Sequence, residues 1–242
     1  ITWVEVDSYG MVDPAEIRRA IRHETSLITI MHANNETGTI QPISEIADIA
    51  REHGILFHTD AAQSVGKIPV DVKELGVDLL SVAGHKLYAP KGVGALYLRR
   101  GVTLEKLIHG ADHEADRRAG TENVIGIVGL GKAAEIITSH QSAVHSPQST
   151  VRSPQSTVIS PQSTDVSLRA KRSNLQALRD RLHDGIKQAI PEVRLNGHPE
   201  KRLPNTLSLG FPDVEANLLL AAMKGVAASA GAACHAGEDA MS

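Results

Sequence analysis

Lys86 stands in the run Ser81–Gly92 (SVAGHKLYAPKG), just past the apolar segment Asp78-Leu79-Leu80, and Asp60 follows the apolar run Ile55–Thr59 (ILFHT). Each falls at the carboxyl end of a predicted strand. An amine and a carboxylate on neighbouring parallel strand ends are the pairing that pyridoxal phosphate (PLP) chemistry requires. The lysine forms the imine, and the acid pairs with the pyridinium nitrogen so that the ring accepts electrons. A lysine after a strand is ordinarily a solvated charge. Here Gly84 and His85 before it, the Pro90-Lys91-Gly92 turn after it, and Asp60 upstream single out Lys86.

The elements that must carry this pair alternate. Ile1–Asp7 (ITWVEVD) reads as a strand in mid-fold. Asp13-Pro14-Ala15-Glu16 is a helix start, with a capping Asp, Pro at the first helical position and Glu three residues on; the helix is expected to reach about His23. Ser26–His32 is a short strand, followed by the polar turn Asn34–Gly38. Ile43, Ile46, Ile49 and Ala50 recur at helical spacing before the stop at Gly54. Strand 55–59, a short helix near 71–76, and strands 78–83 and 93–98 follow. Helices are expected at 124–138, 174–190 and 214–224, with two short strands in 193–209. The class is α/β with a largely parallel sheet, whose ligands sit at the carboxyl ends of the strands, where Asn35, Asp60 and Lys86 fall. The expected division is a large domain over 1–139, an insertion over 140–172 and part of a small α+β domain over 173–242. The insertion repeats x-Ser-Pro-Gln-Ser-Thr-x three times at a period of seven. One apolar residue per repeat is too few for a coiled-coil seam and Ser-Pro steps resist helix, so disorder is expected there.

Composition excludes several classes. A net charge of −3 gives no electrostatic footprint for nucleic acid or anionic membrane, and no apolar run approaches a membrane span. The first residues do not read as a secretory signal, and the missing initial Met suggests a piece of a longer product. The single cysteine, Cys234, excludes an internal disulfide and fits a reducing, cytoplasmic compartment. It lies in AASAGAACHAG (227–237), a stretch with no large apolar side chain to anchor it in a core. A loop of Ala, Gly and Ser can swing, and His235 can favour the thiolate. No metal site is expected: His109, His113 and Glu114 repeat no known ligand spacing.

Five segments together carry a resemblance: His32–Gly38 (HANNETG), His58–Lys67 (HTDAAQSVGK), Gly84-His85-Lys86, Arg118–Asn123 (RAGTEN) and Ser229–Cys234 (SAGAAC). In this order they resemble the cysteine desulfurases of the class V aminotransferase superfamily, which have the PLP-dependent fold called type I. Selenocysteine lyases, a sister group, are also similar. The resemblance implies that Lys86 holds PLP as an imine and moves the substrate's α-proton, and that Asp60 keeps the ring nitrogen protonated. It further implies that Gln63 and Asn35 bond the phenolic oxygen or substrate-imine region, and that His85 contacts the phosphate. Thr121 would reach the phosphate of a partner subunit, so a homodimer is implied. Cys234 would attack the sulfur of L-cysteine (or selenocysteine) and hold it as a persulfide for a sulfur carrier or iron–sulfur scaffold protein.

The chain also departs from that pattern. Ala83 stands where relatives often carry a phosphate-binding Ser, and Gly110–Asp116 (GADHEAD) replaces a glycine-rich stretch, placing two extra acids near an expected phosphate site. The family's phosphate-cradling turn, ring-stacking histidine and carboxylate-gripping arginine have no counterpart in these residues. The alternatives are therefore a selenocysteine lyase or a truncated paralogue that catalyses nothing.

Overall fold

A computed structural model describes residues 1–142 and 168–231. α1 (Pro14–Ala20) starts as expected, the Asp13 side chain accepting from the Ala15 amide at 2.8 Å. It ends three residues earlier than expected. Ile21 is already extended, and Arg22 and Thr25 close a turn in which the Arg22 amide donates to Thr25 Oγ1. Residues 1–7 form no strand: only the bridge between Val6 and Val12 forms, and Trp3 is exposed. An extended segment whose backbone groups find no ladder partner gains nothing from strand geometry.

β1 (Leu27–Met31), α2 (Ile43–Glu52), β2 (Leu56–Asp60), α3 (Val72–Leu75), β3 (Leu79–Ala83) and β4 (Gly94–Leu98) make a four-stranded sheet in the order β1-β2-β3-β4. The first three strands are parallel and β4 runs antiparallel to β3. The register aligns Met31 with Asp60 and Asp60 with Ser81, so β1 and β2 finish on one line and β3 runs two residues beyond it.

Strand alternation decides what each face does. Ile28, Phe57 and Leu80 point to one side, where α2 lays Ile43, Ile46, Ala47, Ile49 and Ala50 against them. Phe57 and Ile46 are fully buried there. Asp78 locks the entry to the paired strands: one carboxylate oxygen accepts from the Phe57 amide at 2.8 Å and the other from Arg99 Nε at 2.5 Å.

Beyond β3 the chain makes a single 3-10 turn, Gly84–Leu87, before returning as β4. Gly84 is required by space. A Cβ there would lie 2.6 Å from the Val93 carbonyl oxygen, to which Gly84 itself donates its amide hydrogen. α4 (His113–Asp116) is one distorted turn with Glu114, Ala115 and Asp116 at positive φ. α5 (Val124–Ser142) and α6 (Leu168–Ala189) flank the repeat segment. Residues 140–142 and 168–172 of the expected disordered insertion are thus helical. Once a helix is nucleated each further residue adds one hydrogen bond, and Leu-Arg-Ala-Lys-Arg (168–172) is a run of good helix formers. The repeats themselves lie outside the described residues.

The C-terminal part consists of α6, the antiparallel pair β5 (Arg194–Leu195) and β6 (Leu209–Gly210), and α7 (Ala216–Ala222). It is fastened to the turn after β1. Ile40 N donates to Lys201 O, Leu203 N to Gly38 O and His198 N to Thr39 Oγ1. Arg202, 5% exposed, donates to the carbonyls of Thr37, Asn196 and Thr206. Among the described residues no helix is long and apolar enough to cross a membrane.

Candidate active site

The acid and the amine both lie where the register puts strand ends. Asp60 is the last residue of β2, opposite Ser81, and Lys86 sits in the 3-10 turn that leaves β3. Asp60 Oδ1 accepts from the Ala62 amide at 2.8 Å, which fixes the carboxyl plane and leaves Oδ2 without a partner among the described residues. Lys86 is exposed, with no hydrogen bond or ion pair among the described residues.

Residues 61–68 wind tightly after β2. Val65 N bonds Ala61 O, and Lys67 N and Ile68 N bond Ser64 O. This puts Gln63 and Lys67 one turn apart, and Lys67 Nζ donates to Gln63 Oε1 at 2.8 Å. The wound segment presses on the 3-10 turn: at Gly66 a Cβ would meet Leu87 at 2.9 Å and Ile137 at 3.0 Å. Burial holds the Lys67 ammonium below the usual lysine range, and the charge of Lys86 pushes it further the same way.

The turn after β1 divides its two asparagines. Asn34 Oδ1 accepts from the amides of Glu36 and Thr37, each at 2.9 Å, and so builds the turn. Asn35 is exposed, and its side chain has no partner among the described residues. It therefore stands free at the end of β1, one strand over from Asp60.

A polar ladder crosses the same sheet face. Thr29 Oγ1 meets His58 Nδ1 at 2.7 Å, and His58 Nε2 meets Ser81 Oγ at 2.9 Å. Burial holds His58 below the ordinary histidine range, while the nearby Asp60 carboxylate pulls the other way. Sequence reading passed over His58, although strand alternation already puts residues 58 and 60 on one face. It also passed over Lys67 and Arg202. Four residues of separation from Gln63 was the available signal for Lys67, whereas nothing local marks Arg202.

The other expected site residues are less gathered. His85 is exposed in the 3-10 turn beside Lys86. Thr121 is exposed in the segment leading into α5, and no hydrogen bond ties it to Lys86, Asp60 or Gln63 among the described residues. Cys234 and His235 lie outside the described residues. The chain heading toward them passes the turn after β1, since a Cβ at Gly231 would lie 4.0 Å from Glu36 Oε1. The acids expected to oppose a phosphate are internally compensated: Lys106 pairs with Asp116 and, at 3.6 Å, with Asp112. A cavity of about 830 Å³ between the N-terminal arm and α1 contains none of these residues. The free groups sit instead on an open strand-end surface. Among the described residues no cluster of His, Cys, Asp or Glu could hold a metal.

The family profile described as Aminotransferase class-V matches residues 1–153. The chain belongs to the class-V aminotransferase family. It is similar to "Cysteine desulfurase IscS" of Methanosarcina thermophila, 48% identical over 237 residues that make up 97% of this chain and 52% of that protein. A solved "NifS-like protein" superposes with a TM-score of 0.74 at 35% identity, over 90% of this chain and 52% of that one. The structure titled "SspA in complex with cysteine" matches with a TM-score of 0.54 at 48% identity, over 55% of this chain and 39% of that one. The chain thus spans about half the length of the curated relatives it matches. Its α/β fold, with a mostly parallel sheet, is that of the NifS-like proteins.

Proposed function

We propose that the protein is a PLP-dependent cysteine desulfurase, which turns L-cysteine into L-alanine and passes the sulfur on as a persulfide of Cys234. What supports this is the position, in segments that follow the adjacent parallel strands β2 and β3, of an amine (Lys86), a carboxylate with one anchored oxygen (Asp60) and an amide whose oxygen is held and whose nitrogen is left over (Gln63).

The residues present fit the cofactor by their chemistry. A pyridinium nitrogen needs an acceptor, the phenolic oxygen needs a donor and the aldehyde needs an amine. Asp60 Oδ2, the Gln63 amide nitrogen and Lys86 Nζ supply these in turn. His85 and Thr121 are the residues for the phosphate, Thr121 across a homodimer, and Asn35 is the amide for the ligand edge nearest β1. Bound there, PLP supplies an electron sink that weakens the bonds at the substrate's α-carbon. Asp60 holds the proton on the ring nitrogen. Lys86 Nζ takes up and returns the α-proton. The Cys234 thiolate would attack the substrate's sulfur, so that the sulfur–sulfur bond forms as the carbon–sulfur bond breaks; the electron pair of that bond stays with the β-carbon, which takes up the proton released by the thiols, and alanine leaves.

Two wider readings rest on the same ground. The helix that follows Thr121 leaves Val124, Ile125 and Val128 exposed, which supports a second copy of the chain covering this region. Residues 1–139 are read as the cofactor domain and 173–242 as part of a smaller domain, with 140–172 as an insertion whose margins continue the flanking helices. The sulfur acceptor is a carrier or iron–sulfur scaffold protein, and the single cysteine suits a reducing cytoplasm.

The test uses the protein at its natural length. Uptake of PLP gives a visible absorption band, and Lys86→Ala abolishes it; a band unchanged by that substitution refutes the lysine assignment. Cys234→Ser spares the band and abolishes persulfide formation from L-cysteine. Selenide released much faster than sulfide would instead make the protein a selenocysteine lyase, and failure to take up PLP would make it a non-catalytic relative.

A further inference from the structure

Resting on the reading above, we propose that Lys67 is a positioning residue: its ammonium fixes the orientation of the Gln63 amide, so that the amide nitrogen is the end offered to the ligand. Three observations carry this. The first is the hydrogen bond from Lys67 Nζ to Gln63 Oε1, 2.8 Å long, across one turn of the wound segment after β2. An ammonium has three donors and no acceptor, so the end of the amide it touches must be the oxygen, and the two N–H groups are left over. Those N–H groups have no partner among the described residues.

The second observation is the setting of the ammonium. It is half-buried, and among the described residues it has no carboxylate partner, its one hydrogen bond being to the neutral amide. Its charge is therefore directed at the Gln63 amide and is not spent on an ion pair. The third is rigidity. The segment packs against the turn that carries Lys86, Gly66 lying against the Leu87 side chain at a positive φ of 80°. Gln63 and Lys86 are thereby held on one body, and Lys67 sets which face of the amide that body presents. A donor amide backed by the Lys67 ammonium favours an anionic oxygen in the ligand, which is the character of the PLP phenolate. An unfixed glutamine would present its carbonyl about half of the time and repel the same oxygen.

The test is a double-mutant cycle on the protein at its natural length, loaded with PLP, read by the dissociation constant of PLP and by its visible spectrum at fixed pH. Lys67→Met should weaken PLP binding about tenfold, the size of one lost charge-assisted hydrogen bond, and change the ratio of the absorption bands. Lys67→Arg, which keeps a donor-only group, should restore most of the wild-type spectrum. Gln63→Ala should reproduce the Lys67→Met spectrum, and the double variant should be no worse than Gln63→Ala alone, because one interaction is being removed twice. Should Lys67→Met fold poorly, the comparison of Lys67→Gln with Lys67→Arg serves in its place, with the same spectral change expected for Gln only. Wild-type spectra in Lys67→Met, or effects of the two substitutions that simply add, would overturn the proposal. Wild-type protein that takes up no PLP overturns instead the cofactor reading on which it rests.

Discussion

The two faces of the sheet are built from the same five-residue strands and do opposite things. On one face Ile28, Phe57 and Leu80 are sealed by α2, and Phe57 shows no exposed surface. On the other, Leu27, Met31 and Leu96 are each more than two-fifths exposed, and the middle of the face is a line of hydroxyl and imidazole groups, Thr29–His58–Ser81. Alternation along β2 puts Phe57 and Thr59 on the first face and His58 and Asp60 on the second. The contrast teaches that a strand can carry stability on its odd residues and chemistry on its even ones. The two functions are separated by about one Cβ direction and not by distance along the chain.

That separation can be broken at will. Phe57→Ala should cost the most, about 3–5 kcal/mol in denaturant unfolding, because α2 and the strands cannot collapse into the space of a buried ring. A cost below about 1 kcal/mol would mean that the first face does not hold the fold. Arg202→Met tests whether the C-terminal part is needed to shape the site-bearing turn. The carbonyls of Thr37, Asn196 and Thr206 lose a charged donor, with an expected loss of about 1.5–3 kcal/mol and faster amide exchange in residues 37–41.

Smaller effects belong to the open face. His58→Leu leaves two hydroxyls unpaired in a half-exposed position and should cost about 1–2 kcal/mol; an equal loss to that of Phe57→Ala would erase the contrast between the faces. Leu96→Ala removes a side chain already half in water and should cost less than about 1 kcal/mol in the same assay. The smallest effect is a pH dependence. Burial holds His32 below the ordinary histidine range, so the unfolded chain binds a proton that the folded chain resists. The stability this histidine allows is therefore fully present above its unfolded value, near 6.5, and declines as pH falls from there toward the folded value. His32→Gln should flatten the unfolding free energy between pH 7 and 5, and an unchanged slope would assign it to another group.

Much of the fold could be read in advance, for a local reason. The β1–β4 strands, α2 and the cap at Asp13 follow from alternation, helical spacing and turn residues, all of which act within a few positions. The failures were equally physical. Residues 1–7 have strand-like alternation, but a strand exists only if another segment offers its backbone, and here only Val6 finds one. The two extra acids of the 110–116 stretch share Lys106 as a counter-ion, a pairing that spacing in the sequence did not announce. At the site, residue types and order led to the expectation of Lys86, Asp60, Gln63 and Asn35. They could not say which asparagine would be consumed by the turn and which left free.

What the sequence determined by itself was an α/β chain of the class-V aminotransferase family with its amine and acid at strand ends, since those choices depend on periodicity and on neighbours a few residues apart. Only the tertiary structure decided that Lys67 turns the Gln63 amide and that Asn34 is spent on its own turn. Arg202, more than 160 residues away, holds that turn to the C-terminal part. Each of these is a hydrogen bond whose partner is chosen by how the chain comes back on itself in space, and one-dimensional order carries no measure of that return.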